Sequence, residues 1–160
     1  MKRINKIDIK EVWSLEENVE RLATEIASYY SPFFKEKSFN LHVMLERTDD
    51  NPKYFPTPPK LSKDKCLEPH YNSCLSVYLT DKEDNVVGWD DGLGGWVDEE
   101  YDFTLSIWSV ERSFFFLVVD TPLLGTTKRY MTELSMEEIK QEVESHLFFL
   151  AKQLGITLDI

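Results

Sequence analysis

The sequence is short of basic residues. Its 160 residues include 18 lysines and arginines against 29 aspartates and glutamates, which gives a net charge of −11 at pH 7. A protein surface that binds nucleic acid or anionic lipid needs a concentration of positive charge. A field of negative sign repels both, so the sequence predicts a protein that binds neither nucleic acid nor membrane.

Cysteines and long apolar runs are also scarce. The two cysteines are Cys66 and Cys74, and residues 1–10 contain no continuous apolar stretch of the kind found in secretory signals. Two thiols without an export signal are expected to be reduced, as in cytoplasmic proteins. The longest apolar run, residues 114–119, is far shorter than the ~20 residues that span a bilayer. These features predict a cytoplasmic protein.

Motifs that would indicate an enzyme are missing as well. There is no Gly-x-Ser-x-Gly nucleophile elbow, and neither cysteine lies in a recognisable Cys–His context. Gly92, Gly94 and Gly95 cluster, but no Lys–Ser/Thr pair follows them and the surrounding acids would repel phosphate. We therefore predict that the protein is not an enzyme and carries no cofactor.

Two groups of side chains resemble metal sites only superficially. Cys66, His70 and Cys74 are evenly spaced, and His42 is the nearest choice for a fourth zinc ligand. Pro69 prevents a regular helix from presenting them together, and no CxxC pair occurs. A calcium loop starting at residue 81 would place a valine where the invariant glycine belongs and a glycine where the bidentate acid belongs. The sequence predicts no bound metal.

Two amphipathic helices are expected, one near each end of the chain. In the first, Ser14 and Glu17 have the spacing of a capping box, and Pro32 is expected to end the helix. Its apolar stripe is Leu15, Val19, Leu22 and Ile26, and the acids on the opposite side are Glu16, Glu20 and Glu25. In the second, Ser135 and Glu138 repeat the capping-box spacing and Gly155 ends the helix. Its stripe is Met136, Ile139, Val143, Leu147, Leu150 and Leu154.

Between the helices, apolar residues alternate with a period of two, which is typical of strands. Strands are expected at residues 39–46, 75–80, 86–89, 103–108 and 114–119, with weaker ones at 129–133 and 156–159. Short polar connections at 81–85 and 111–113 predict antiparallel neighbours. The sequence thus predicts a single α+β domain over residues 1–160: an antiparallel sheet of about five or six strands with an N-terminal and a C-terminal helix packed on it. The proline-rich segment 48–72 is expected to be a stiff loop.

The negative charge is concentrated near the middle of the chain. Residues 81–102, termed the acidic connection, contain nine acids and one lysine, a net −8 of the total −11. Tryptophan and tyrosine are common interface anchors, and carboxylates orient a Lys/Arg-rich partner. The predicted binding residues are Trp89, Asp90, Asp91, Trp96, Asp98, Glu99, Glu100 and Tyr101. Both tryptophans could equally fold back over the sheet edge.

This acidic connection, set in a frame of two helices and several strands, resembles the small acidic immunity proteins that bacteria pair with polymorphic or contact-dependent toxins. The resemblance covers the whole chain and includes no motif of one immunity family, so no functional residue is carried over. It implies a non-catalytic protein that binds and neutralises a cognate basic toxin. Two alternatives stay open: an adaptor or regulatory domain with another basic protein partner, and an uncatalogued hydrolase that uses carboxylates of the acidic connection.

Overall fold

A computed structural model describes residues 1–90, 96–97, 102–115 and 124–159. The helices are α1 (Ile9–Lys35) and α2 (Met136–Leu154), and the strands are β1 (Lys2–Ile4), β2 (Asn40–Asp49), β3 (Tyr71–Thr80), β4 (Trp89–Asp90), β5 (Trp96–Val97), β6 (Phe103–Phe115) and β7 (Leu124–Met131). Five strands form one sheet in the order β1–β7–β6–β3–β2, and β4 and β5 form a separate two-stranded sheet. The predicted α+β fold is confirmed, with an N-terminal and a C-terminal helix packed on a five-stranded antiparallel sheet.

The chain divides into two compact units, and the single domain stays a prediction. The first unit comprises Met1–Glu17, Glu46–Cys74 and Ser106–Glu133, and the second comprises Asn18–Leu45, Leu75–Leu105 and Leu134–Ile160. Among the described residues, no helix combines the length and the apolar character that crossing a membrane requires.

The first helix starts earlier than predicted. The Asp8 carboxylate accepts a hydrogen bond from the Lys10 amide at 3.1 Å, and the Asp8 carbonyl accepts one from the Glu11 amide at 3.0 Å. Asp8 therefore satisfies amides of the first turn, as helix-capping residues do. The predicted start at Ser14 is wrong, because this earlier cap allows α1 to begin at Ile9.

The first helix also continues past its proline. Pro32 lies inside α1, which ends at Lys35, so the predicted end near Tyr30 is wrong. Proline removes one backbone hydrogen bond, but Phe34 beyond it is fully buried and its burial offsets part of that loss. The helix closes where the Ser38 amide donates to the Lys35 carbonyl at 2.9 Å, with Ser38 in the left-handed region at φ 67°.

The second helix follows its sequence signals closely. The Ser135 hydroxyl accepts from the Glu138 amide at 3.2 Å, and the Glu138 carboxylate accepts from the Ser135 amide at 2.7 Å. The hydrogen bond from the Ser135 amide, followed by the interaction with the Ser135 hydroxyl, holds the pKa of Glu138 below its usual value. Gly155, in the left-handed region at φ 68°, ends the helix. The fully buried members of the stripe are Ile139, Val143, Leu147 and Leu150.

Three predictions about the strands need correction. The polar residues Glu111, Arg112 and Ser113 were expected to form a tight turn, but they continue β6 and pair with Lys128, Thr127 and Thr126 of β7. The turn prediction was wrong because the backbone of β7, which comes later in the chain, pairs with this run. The predicted strand 86–89 is reduced to an isolated bridge between Thr80 and Val86 and to Trp89, the first residue of β4. Residues 156–159 are not a strand, and residues 116–119 of the predicted strand lie outside the described residues.

The core of the first unit is a cluster of fully or almost fully buried residues from α1, β3, β6 and the proline-rich segment. Its members are Val12, Cys66, Tyr71, Trp108 and Val110. The Trp108 indole donates to the Cys66 carbonyl at 2.7 Å, and the Trp13 indole donates to the Lys63 carbonyl at 2.8 Å. These two bonds fasten the proline-rich segment, which is therefore ordered by contacts distant in sequence.

Candidate functional site

The acidic connection contains a short antiparallel ribbon. Trp89 of β4 lies opposite Val97 of β5, and Asp90 lies opposite Trp96.

Three of the predicted binding residues, Trp89, Asp90 and Trp96, have their backbone in this ribbon. The other five, which lie outside the described residues, are Asp91, Asp98, Glu99, Glu100 and Tyr101. The structure thus brings Asp90 and Trp96 opposite each other, and the assembly of the rest stays a prediction.

A compact turn begins the acidic connection. The Asp81 carboxylate accepts from the amides of Glu83 and Asn85, both at 2.9 Å, and the Asp81 amide donates to the Asn85 carbonyl at 2.9 Å. These backbone hydrogen bonds hold the pKa of Asp81 below its usual value, the bond from Asn85 first. Asp81 therefore serves the turn, whereas Glu83 and Asp84 are exposed to solvent. Their carboxylates extend the negative surface beyond the residues predicted as the site.

The residues considered for zinc lie in different surroundings. Cys66 is fully buried in the apolar cluster, where burial, followed by the nearby Glu16 carboxylate, raises the pKa of its thiol to about 11. His42 has Nε2 within 2.8 Å of the Thr80 hydroxyl and its ring stacked on Tyr78 at 4.6 Å. Within the described part of the chain, no group of three or more His, Cys, Asp or Glu side chains could hold a metal ion.

A buried polar network in the first unit was missed by the sequence reasoning. Glu16, expected on the exposed side of α1, is fully buried. Its Oε2 accepts from Arg47 Nε at 2.9 Å, and its Oε1 accepts from the Tyr71 hydroxyl at 2.7 Å. The expectation was wrong because Glu16 lies four residues after Val12 and three before Val19, on the buried stripe. That spacing was the one signal of burial in the sequence. It did not show the partners of the carboxylate, which come from distant segments.

The chemistry of this network is that of a structural ion pair. The side chain of Arg47 is 15% exposed and that of Glu16 is inaccessible. Burial, reinforced by the hydrogen bond to Glu16, raises the pKa of Tyr71 far above its usual value, so the phenol stays protonated and remains a donor. Both oxygens of Glu16 accept from protein donors, and the side chain is inaccessible to a substrate.

An open cleft also belongs to the first unit. It has a volume of about 640 Å³, and its polar lining includes Asp50, His70, Asn72, Ser109 and Arg112. His70 adopts the left-handed conformation at φ 70°, and its amide donates to the Val110 carbonyl at 2.8 Å. Side chains of both charge signs line this cleft.

Comparisons with protein-family models, with curated proteins and with solved structures find no match for the chain. The likeness to immunity proteins therefore gains no support from a relative. Function is inferred below from the charge and geometry of this chain's own residues.

Proposed function

We propose that this protein is a non-catalytic binding domain that captures a basic protein partner through its acidic connection. The partner in this proposal is a cognate toxin, which the domain neutralises by covering its basic surface. The observation that carries the proposal is the net charge of −8 in residues 81–102, a segment whose β4–β5 ribbon is separate from the five-stranded sheet.

A ribbon outside the main sheet suits a recognition role. The buried residues of the five-stranded sheet pack in the protein core. Among the described strands, β4 and β5 pair only with each other. The exposed acids Glu83, Asp84 and Asp102 lie before and after the ribbon. Negative charge before and after this ribbon would steer a cationic partner towards it and raise the association rate.

The buried carboxylate of Glu16 has a structural role. A catalytic acid or base needs access to a substrate within hydrogen-bond reach. Glu16 is inaccessible and both of its oxygens accept protein hydrogen bonds, so it is no candidate for a catalytic group. The hydrolase alternative depends on other carboxylates, those of the acidic connection.

A protection assay in bacteria tests the proposal. The chain is co-expressed with the basic protein encoded by the adjacent reading frame, and we expect it to restore growth when that protein is toxic. The connection variant carries four changes to lysine, at Asp90, Asp91, Asp98 and Glu99, and should abolish protection. The control variant should still protect. It has the same change in net charge, through lysine at the exposed positions Glu17, Glu36, Glu111 and Glu133.

Two results would contradict the proposal. One is unchanged toxicity together with no co-elution of the two purified proteins. The other is equal protection by the wild type and the connection variant, which would leave the acidic connection as a solubilising surface only.

A further inference from the structure

A groove lies between α1 and α2 within the second unit. It has a volume of about 320 Å³. One stripe of α1 lines it through Leu22, Glu25, Ile26 and Tyr29, which have the spacing of a single helix face. Tyr30 adds to this wall, and α2 contributes Lys140 and Glu144. A volume near the lower end of ligand sites suits one side chain better than a whole metabolite.

The charged groups of the groove favour a cation. Two carboxylates, Glu25 and Glu144, face one ammonium, Lys140. Glu144 Oε1 accepts from the Tyr30 hydroxyl at 2.9 Å, which fixes the carboxylate in place. Within the described residues, the side chains of Glu25 and Lys140 have no hydrogen bond or ion pair, and the side chain of Glu144 has none besides the bond from Tyr30. Carboxylate oxygens are therefore left to bind a positively charged group.

The aromatic rings of the groove favour the same class of ligand. Tyr29 and Tyr30 meet edge to face, with ring centroids 4.9 Å apart and an interplanar angle of 80°. Tyr29 is 53% exposed although it is a large aromatic residue. Phe148 of α2, 37% exposed, does not line the groove, but its ring centroid lies 6.5 Å from that of Tyr30, which does. The face of an exposed tyrosine attracts a cation through its ring quadrupole.

We propose that this groove binds an arginine side chain presented by a protein partner. A guanidinium is planar, so it can stack on the ring of Tyr29 while its N–H groups donate to the carboxylates of Glu25 and Glu144. A lysine ammonium is a more strongly hydrated point charge and gains less from an aromatic wall. The exposed ring of Phe148, which contacts Tyr30, offers a surface that the residues flanking the arginine can cover. A free small cation would leave that ring exposed.

The groove does not require the partner to be a toxin. The groove is tested with the synthetic tripeptide acetyl-Leu-Arg-Leu-amide. Failure of the peptide to bind does not affect the outcome of the protection assay, and failure of the protection assay does not affect peptide binding. The matched control peptide replaces arginine with citrulline, which has almost the same shape without the charge. Binding is followed by NMR titration of ¹⁵N-labelled protein.

We expect the arginine peptide to shift amide signals of residues 22–30 and 140–148, with a dissociation constant of about 0.1–1 mM. The citrulline peptide should bind about tenfold or more weakly, because it loses the charge-assisted hydrogen bonds. Arginine amide alone should bind more weakly than the tripeptide. Equal binding of the amide and the tripeptide would overturn the assignment to a protein partner.

Variants locate the binding groups. Glu144→Gln removes the charge but keeps an acceptor for the Tyr30 hydroxyl. Glu25→Gln removes the charge at an exposed position. Each should weaken the arginine peptide about fivefold or more, as should Tyr29→Leu. Tyr54→Leu is the matched control, since Tyr54 is also exposed, at 37%, and does not line the groove.

Lys140→Met should tighten binding, because the ammonium of Lys140 competes for the same carboxylates. The proposal is overturned if arginine and citrulline peptides bind equally or if neither shifts the groove signals. It is also overturned if the Tyr54 control weakens binding as much as the Tyr29 variant. Shifts spread over the acidic connection instead of the groove would contradict it as well.

Discussion

Replacing Arg47 with methionine should lower the free energy of unfolding by about 3 kcal/mol. The change removes the guanidinium and leaves the buried Glu16 carboxylate with the Tyr71 hydroxyl as its donor. Breaking a buried ion pair from one side costs about 3–5 kcal/mol because an uncompensated charge stays in the interior. We expect the lower end of that range, since the Arg47 side chain is 15% exposed and Tyr71 continues to donate.

Urea unfolding followed by far-ultraviolet circular dichroism measures this loss. With a slope of about 2 kcal/mol per molar urea, the midpoint should fall by about 1.5 M. Lys65→Met is the matched control, because it removes a cation from the Lys65–Glu68 pair at 3.3 Å, whose side chains are 46% and 58% exposed. That surface pair should contribute less than about 1 kcal/mol.

A fully apolar version of the network separates lost charge from lost packing. The triple change Glu16→Leu, Arg47→Met and Tyr71→Phe leaves no buried polar group of this network unpaired. Its stability should return to within about 1 kcal/mol of the wild type, because apolar replacements of buried ion pairs are often neutral or stabilising. An Arg47→Met loss no larger than that of Lys65→Met, or a triple variant as unstable as the single one, would refute this reasoning.

Three further results are expected. Leu147→Ala should lower the free energy of unfolding by about 2–5 kcal/mol in the same urea assay, because Leu147 is fully buried. Val86→Ala, at a position 48% exposed, should cost far less. Equal losses would contradict the assignment of α2 to the core. Stability should fall between pH 10 and pH 12. Burial and then Glu144 raise the pKa of Tyr30 from 10.0 to about 12. The contribution of the protonated Tyr30 hydroxyl to the free energy of unfolding is therefore complete below pH 10 and is lost as the pH rises through 12. Tyr30→Phe should lack that part of the decline. Protein purified without chelator should contain no stoichiometric zinc, and a melting temperature that drops on adding EDTA would contradict the prediction of a metal-free fold.

Local signals explain which parts of the fold were predictable. The bounds of α2 depend on Ser135, Glu138 and Gly155, all within the helix ends, and the bonds that form there are the expected ones. The start of α1 was misplaced because Ser14 and Glu17 have the same spacing as a true capping box, while Asp8 provides the actual cap. A spacing alone cannot decide between two acceptable caps.

Long-range partners explain the errors. Glu16 looks like a surface acid until Arg47 and Tyr71, which are 31 and 55 residues away in sequence, surround its carboxylate. The polar run Glu111–Ser113 looks like a turn until β7 pairs with it. The ribbon was predicted only in part: the expected strand 86–89 shares Trp89 with β4, whereas β5 was not predicted, since two-residue strands carry too few side chains to show a period. The groove at Tyr29 was not predicted, because it needs α1 and α2 side by side.

The most direct test of the binding proposal is the association rate with the basic protein of the adjacent reading frame, measured by surface plasmon resonance at low salt and near 0.15 M. At the higher concentration the screening length is about 8 Å, so attraction by exposed acids fades. The wild type and the control variant should associate quickly at low salt and slow down as salt rises. The connection variant should associate about tenfold or more slowly at low salt and respond little to salt. Equal association of the connection variant and the wild type at low salt would contradict the account.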